Sequence, residues 1–386
     1  MPQTTDATSD PRLAAIAALQ QQARAADQRA LVVAAGGPAW GRRLAEPLWA
    51  QYAAADRLWL GTPAGREHLA PARAGQLLGQ ERQLVILDAH EGFSADAFGA
   101  VSGTLPGGGL LLILVPPLGT WPEQPAANPF ASDSSRFIRR LAGCIEQDPA
   151  LFLLQEPDHR RPVRHSYRPA TARQATPPCR SADQQRAVTA IRALANTPAP
   201  RPQVITSDRG RGKSAALGIA AAELLQQHPG YRIGVCAPRP QACAALFERA
   251  AALLPQAVQA RNRLEYQGGI LQFMAADALL AEQPPLDLLL IDEAAALPVP
   301  VLEKLLRGYP RVAFASTVHG YEGTGRGFSL RFARILDRLA PGWQALQLAQ
   351  PIRWREDDPL EQFVFCLLYT SPSPRDRTRS RMPSSA

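Results

Sequence analysis

The stretch Val204-Ile205-Thr206-Ser207-Asp208-Arg209-Gly210-Arg211-Gly212-Lys213-Ser214 decides the fold of this chain. An apolar run of strand character feeds a tight glycine-bearing loop, and the loop opens a helix. Backbone N–H groups in such a loop and at the helix start point inward and bind phosphate oxygens. Gly210 and Gly212 permit the left-handed angles and close approach that this requires. Lys213 is placed to reach the β- and γ-phosphates of ATP, and the Ser214 hydroxyl to ligate Mg²⁺. The general pattern G-x-x-x-x-G-K-[ST] asks for glycine at position 207, where this chain has Ser207. Ser207 is small, and Gly210 can take over the turn. A chance surface loop would lack both the strand before it and the helix after it.

Downstream, Leu288-Leu289-Leu290-Ile291-Asp292-Glu293-Ala294-Ala295 reads as an apolar strand that delivers two acids at its carboxyl edge. Ligands of open α/β sheets sit at that edge. Asp292 is expected to hold Mg²⁺ through water, and Glu293 to orient or activate the attacking water. Gln184 and Gln185 head the helix before the P-loop strand. The Gln184 amide suits the edge of adenine, which offers one acceptor and one donor side by side; the alternative is two solvent-facing helix residues. Ser316 and Thr317 end a strand beside the acidic one and can sense the γ-phosphate. The glycine-rich run His319 to Gly327 follows, with Arg326 and Arg331 as candidates for RNA phosphate or transition-state charge and His319 as a structural residue. In Gln350-Pro351-Ile352-Arg353-Trp354, Arg353 is either a finger in cis toward the γ-phosphate or a surface residue stacked on Trp354.

Around these motifs the periodicity alternates. Helices are expected over Ser181–Ala195 with Ser181 as N-cap, Lys213–His228, Gln241–Leu253 and Phe328–Leu339. Strands are expected over Gln203–Thr206, Arg232–Cys236, Leu286–Ile291, Val312–Ser316 and Ala345–Leu348. The N-terminal part shows the same habit: helices Pro11–Ala26 and Ala39–Ala55, and strands Ala30–Ala35, Arg57–Leu60, Leu84–Leu87 ending at Asp88, and Leu110–Val115. The expected fold is therefore α/β throughout. A Rossmann-like domain over 1–154 and a linker over 155–178 precede a RecA-like P-loop NTPase domain with a parallel sheet over 179–365. Residues 366–386 form a Ser/Pro/Arg-rich tail too poor in apolar residues to fold. The basic residues Arg160, Arg161, Arg164 and Arg168 of the linker read as a solvated connection, with contact to RNA backbone as the alternative.

The chain carries a formal charge of +8, and Lys213 and Lys304 are its only lysines. Arginine makes forked contacts to phosphate and suits a nucleic-acid partner, although a GC-rich genome accounts for much of the Arg-for-Lys exchange. None of the five cysteines forms a C-x-x-C pair, and no histidine stands at metal-ligand spacing from them. Neither zinc nor a disulfide framework is expected, and a reducing cytoplasm fits. No signal-peptide pattern opens the chain. The longest apolar run, Leu110–Val115, is too short to cross a bilayer, so no membrane partner is expected.

Taken in order, Gly210-Arg211-Gly212-Lys213-Ser214, Ile291-Asp292-Glu293-Ala294-Ala295-Ala296-Leu297-Pro298, Gly320-Tyr321-Glu322-Gly323-Thr324-Gly325-Arg326-Gly327 and Pro351-Ile352-Arg353-Trp354 resemble the motifs of the bacterial tRNA(Met) cytidine acetyltransferase family. The resemblance runs to Phe365, and the family's P-loop also lacks the first glycine. It implies an enzyme that acetylates N4 of the wobble cytidine of elongator methionine tRNA, with acetyl-CoA as donor and ATP hydrolysis coupled to the reaction. Carried over by position, the nucleotide is held by Gln184, by Gly210, Arg211, Gly212, Lys213, Ser214, Ala215, Ala216, Leu217, Gly218 and Ile219, and by Arg353. Lys213, Glu293 and Arg353 take the catalytic roles, and Ser214 and Asp292 the metal. The family continues into an acetyltransferase domain that binds acetyl-CoA. Residues 366–386 do not resemble it and are expected to be a foreign or out-of-frame end of a truncated gene. The competing readings are a free-standing RNA-dependent ATPase or helicase and a non-enzymatic RNA-binding module. Against the helicase stands the single RecA-like lobe. Against the inert module stand the intact Lys213, Ser214, Asp292 and Glu293.

Overall fold

The computed structural model describes residues 10–61, 69–77, 80–124, 134–170, 175–317 and 325–369. The chain divides into two compact units, one of residues up to Ala170 together with Trp354 onward, the other Thr171–Arg353.

In the first unit the elements are α1 (Pro11–Ala25), β1 (Ala30–Ala35), α2 (Pro38–Ala50), β2 (Arg57–Leu60), β3 (Leu84–Asp88), α3 (Ala95–Ser102), β4 (Leu110–Val115), α4 (Ser134–Gln147), β5 (Phe152–Gln155) and β6 (His159–Arg161). They build a six-stranded sheet in the order β2-β3-β4-β1-β5-β6. It is parallel from β2 to β5, and β6 closes the edge antiparallel to β5. Ala30, Val32, Ala34, Leu110, Leu112 and Leu114 pack with Ile16, Leu19 and Ala23 of α1 and Trp40, Leu44 and Leu48 of α2. The alternate residues Leu31, Val33, Leu111 and Ile113 are equally buried. A sheet covered on both faces reads as continuous apolar runs, which is why these strands were legible. The expected α/β architecture is present, in a strand order that differs from the 3-2-1-4-5-6 of the dinucleotide-binding fold.

The second unit contains α5 (Ala182–Asn196), β7 (Gln203–Ser207), α6 (Lys213–Gln227), β8 (Arg232–Cys236), α7 (Ala244–Leu253), β9 (Val258–Ala260), β10 (Arg263–Tyr266), β11 (Gly269–Phe273), α8 (Ala276–Glu282), β12 (Leu288–Ile291), α9 (Val299–Gly308), β13 (Val312–Thr317), α10 (Gly325–Leu339) and β14 (Gln344–Leu348). Its eight-stranded sheet runs β14-β7-β13-β12-β8-β11-β10-β9. The strands from β14 to β11 are parallel, and β10 and β9 extend the edge antiparallel. Successive side chains point to opposite faces. Ile205, Val235, Leu288, Leu290, Ala313 and Ala315 pack on one side with α5, α6 and α7. Val204, Leu289, Ile291, Val312 and Phe314 pack on the other with α8, α9 and α10. The chain then returns to the first unit as α11 (Pro359–Tyr369).

Three expected boundaries move. The segment expected as a linker from residue 155 holds the end of β5 and all of β6, and it stays with the first unit to Ala170. Its short charged strand has no apolar alternation to reveal it. Arg161 is committed there to the carbonyls of Ile145, Asp148 and Leu151. From Trp354 the chain packs with the first unit, and Cys366–Tyr369 are helical; residues 370–386 lie outside the described residues. The helix expected to reach Ala55 stops at Ala50, with Pro47 in its last turn and a separate turn at Ala54–Asp56.

Candidate nucleotide site

β7 ends at Ser207, and the loop turns on Gly210 and Gly212, whose φ angles are 76° and 81°. Both lie in the left-handed region, as the sequence required. Gly212 has a second constraint: a Cβ there would stand 2.7 Å from Gln184 Nε2 and collide with Ile352 Cδ1. The loop opens α6 at Lys213. Ala216 N–H donates to Gly212 O at 2.9 Å, so the amides not used within the helix end at Ala215. Ala216, Leu217, Gly218 and Ile219, expected among the nucleotide-binding residues, lie inside the core. Gly218 sits where α6 meets α7, and a Cβ there would strike Leu246 O. Their part in the site is to hold α6 in place, not to touch a ligand with side chains.

Strand β13 lies between β7 and β12, pairing Thr317 with Ser207 and Phe314 with Ile291. This insertion brings the P-loop, the acids and Thr317 to one carboxyl edge. Lys213 Nζ donates to Ser207 Oγ at 3.1 Å, and Ser207 Oγ donates to Asp208 O at 2.7 Å. The residue that replaces the first glycine of the pattern therefore supports the lysine. Thr317 Oγ1 donates to Glu293 at 3.2 Å from Oε2. Glu293 adopts φ 50° and ψ 44°, a left-handed conformation that costs a non-glycine residue about 1–2 kcal/mol. In this conformation its carboxylate lies beside Thr317.

Asp292 is wholly buried, and its Oδ1 accepts from Glu293 N–H at 2.9 Å. Burial, reinforced by the neighbouring Glu293 charge, pushes its pKa up to about 6; the Ser214 hydroxyl and Lys213 oppose the shift. Burial pushes Lys213 down, with Glu293 and Asp292 pulling it back. Asp292 Oδ2 and Ser316 Oγ are buried without a hydrogen-bond partner. Such an orphaned oxygen costs about 1–3 kcal/mol unless a water or an ion meets it. An unsatisfied carboxylate oxygen beside the Ser214 hydroxyl fits a hard divalent cation. No group of three or more His, Cys, Asp or Glu gathers among the described residues. That sparse donor set matches Mg²⁺, which keeps waters and shares phosphate oxygens, better than an all-protein cage.

Gln184 is buried at the first turn of α5. Its Nε2 donates to Gly212 O at 3.1 Å, and its Oε1 accepts from Arg180 N–H at 2.7 Å. Both ends of the amide are engaged, and the residue supports the P-loop directly. Its neighbour Asp183, which the sequence reading missed, accepts from Ala349 N–H at 2.8 Å and Gln350 N–H at 3.0 Å. An acid in a first turn reads as a partner of the helix dipole, which hid this role. Ile352 N–H donates to Gly210 O at 2.8 Å. The segment carrying Arg353 is thus bonded to the P-loop itself. Trp354 is buried rather than on the surface, and its ring carries the Arg29 guanidinium 3.5 Å from its centroid. Of the glycine-rich run, 318–324 lie outside the described residues; Arg331 lies in α10.

Residues 8–156 match the N-terminal domain of tRNA(Met) cytidine acetyltransferase TmcA, and residues 204–371 the helicase domain of RNA cytidine acetyltransferase NAT10/TcmA. The chain belongs to the tRNA(Met) cytidine acetyltransferase family. A family member from Nitrosococcus halophilus is 40% identical over 386 residues, covering 95% of this chain and 52% of its own length. One from Vibrio cholerae is 39% identical, covering 89% of this chain and 46% of its own. One from Haloferax volcanii is 35% identical, covering 96% and 53%. The chain spans about half the length of the tRNA(Met) cytidine acetyltransferases it matches. No helix among the described residues is long and apolar enough to cross a membrane.

Proposed function

We propose that this chain is the ATP-hydrolysing part of an enzyme that forms N4-acetylcytidine at the wobble position of elongator methionine tRNA in the cytoplasm, with acetyl-CoA as donor. The observation that carries the reading is the meeting of Lys213, Asp292 and Glu293 at one sheet edge, with Asp292 Oδ2 left unsatisfied. The loop amides from Gly210 to Ala215 cradle the phosphates of ATP, and Lys213 leaves Ser207 to meet the β- and γ-oxygens. Ser214 and Asp292 would hold Mg²⁺, which when bound neutralises phosphate charge. Glu293, fixed by Thr317, orients the attacking water and accepts its proton. Arg353 meets the charge that develops on the γ-phosphate. Gln184 already bonds Gly212 O with one of its two amide hydrogens, so we assign it first to holding the loop. No residue described here is assigned to acetyl-CoA. The net charge of +8, carried almost wholly by arginine, supports a tRNA partner.

Steady-state ATP hydrolysis tests the reading. Lys213→Ala is expected to lower kcat by about a hundredfold or more, since it removes a charge aimed at the transferring phosphoryl group. Turnover that survives the change would remove this mechanism.

A further inference from the structure

We infer that Asp183 is a positioning residue for Arg353, fixing the loop after β14 so that the arginine meets the γ-phosphate. The inference rests on the assignment of Arg353 above and adds to it the device that holds the arginine there. Asp183 is nearly buried, with an exposure of 8%. One carboxylate oxygen accepts from Arg186 at 2.8 Å; the other accepts from two successive backbone N–H groups, Ala349 and Gln350. A buried carboxylate is a poor source of stability, because its desolvation offsets most of its attraction. It is an effective way to fix a loop, because two charge-assisted bonds from adjacent amides define a direction as well as a place.

The loop is bonded at a second point as well. Ala349 and Gln350 follow β14, whose partner β7 ends its pairing with Leu348 at Ser207. Pro351 has no N–H to donate. Ile352 then donates to Gly210 O and lies against Gly212. Arg353 therefore follows a segment held upstream by Asp183 and immediately before it by the P-loop. Asp183 and Gln184 stand side by side in the first turn of α5. One holds the arginine-bearing loop and the other holds the phosphate-binding loop.

The test is the preference of the intact chain for a triphosphate over a diphosphate. Affinities for ADP and for a non-hydrolysable ATP analogue, both with Mg²⁺, are measured in four proteins: wild type, Arg353→Ala, Asp183→Asn, and the double variant. Loss of a charge-assisted contact to the γ-phosphate is expected to lower the preference about 10- to 100-fold in Arg353→Ala. Asp183→Asn should lose most of the same preference while ADP affinity is retained, and the double variant should lose no more than Arg353→Ala. Ala349→Pro, which deletes one donor from the loop side without touching α5, should act in the same direction. If Asp183→Asn and Ala349→Pro keep the preference that Arg353→Ala loses, the positioning role falls and the assignment of Arg353 stands. Additive losses in the double variant overturn it too, since Asp183 would then act independently of Arg353. If Arg353→Ala keeps the preference, both assignments fall.

Discussion

Asp292 shows how one buried carboxyl trades stability for binding. Its pKa rises from 3.8 to about 6, chiefly through burial. A raised pKa means that the folded state favours the protonated form. The carboxyl's contribution is intact below the unfolded value and is lost as pH rises through about 6. A shift of this size corresponds to about 2–3 kcal/mol. In the metal-free chain, Asp292→Asn is therefore expected to raise Tm at pH 8 by about 5 °C and to change it little at pH 4, while nucleotide turnover is lost. Thermal unfolding in a chelator at the two pH values checks this; an equal gain at both would exclude the buried charge as its source. Gly212 is the complementary case, where backbone angle and space act together. Gly212→Ala must hold an L residue at φ 81° and displace Ile352 and the Gln184 amide. A loss of about 1–2 kcal/mol in denaturant unfolding is expected from the angle alone, together with weakened ADP binding.

At the scale of elements, helix α5 packs Ala187, Val188, Ile191 and Leu194 into the core and carries its loop-holding residues in its first turn. Ser181 Oγ accepts from Gln184 N–H at 3.1 Å and starts the helix at the residues that hold both loops. Ser181→Ala is expected to cost about 1 kcal/mol, a fall in Tm of about 2–4 °C. ADP affinity should fall with it, because the same turn presents Gln184 to Gly212. A Tm loss with unchanged ADP affinity would show that the cap serves the helix alone. Strand β13 makes a similar point. Its apolar run was legible, yet its insertion between β7 and β12 is what puts Thr317 beside Glu293.

At the scale of the whole molecule, the chain leaves its first unit, builds the second, and returns. The return is fixed by a buried ion pair. Arg29 Nη2 lies 2.7 Å from Asp358 Oδ1, with exposures of 2% and 0%. Arg29 also donates to Ser102 O, and Asp358 caps α11 by accepting from Glu361 N–H. Breaking such a pair leaves a buried charge and costs about 3–5 kcal/mol. Asp358→Ala is thus expected to lower the first unit's stability by that amount, and Arg29→Ala to add little in the double variant. Urea unfolding of the three variants checks this, and additive effects would exclude direct pairing. Neither residue belongs to a periodic pattern, and they stand far apart in the chain, so the sequence carried no signal of their meeting.

Much of the second unit was legible because its constraints are local. A glycine needed for a left-handed turn, a helix cap, a strand buried on both faces and two acids at a strand end each leave a mark within a few residues. Those marks by themselves determined the α/β class and pointed to the P-loop and to Lys213, Ser214, Asp292 and Glu293 as candidate site residues. The tertiary structure decided what depends on distant partners: that Ser207 supports Lys213, that Asp183 holds the loop before Arg353, and that residues from Trp354 rejoin the first unit. It also placed Ala216 to Ile219 in the core. Hydrogen bonds and ion pairs between distant residues have no sequence period, so only the folded chain can show which groups desolvate together.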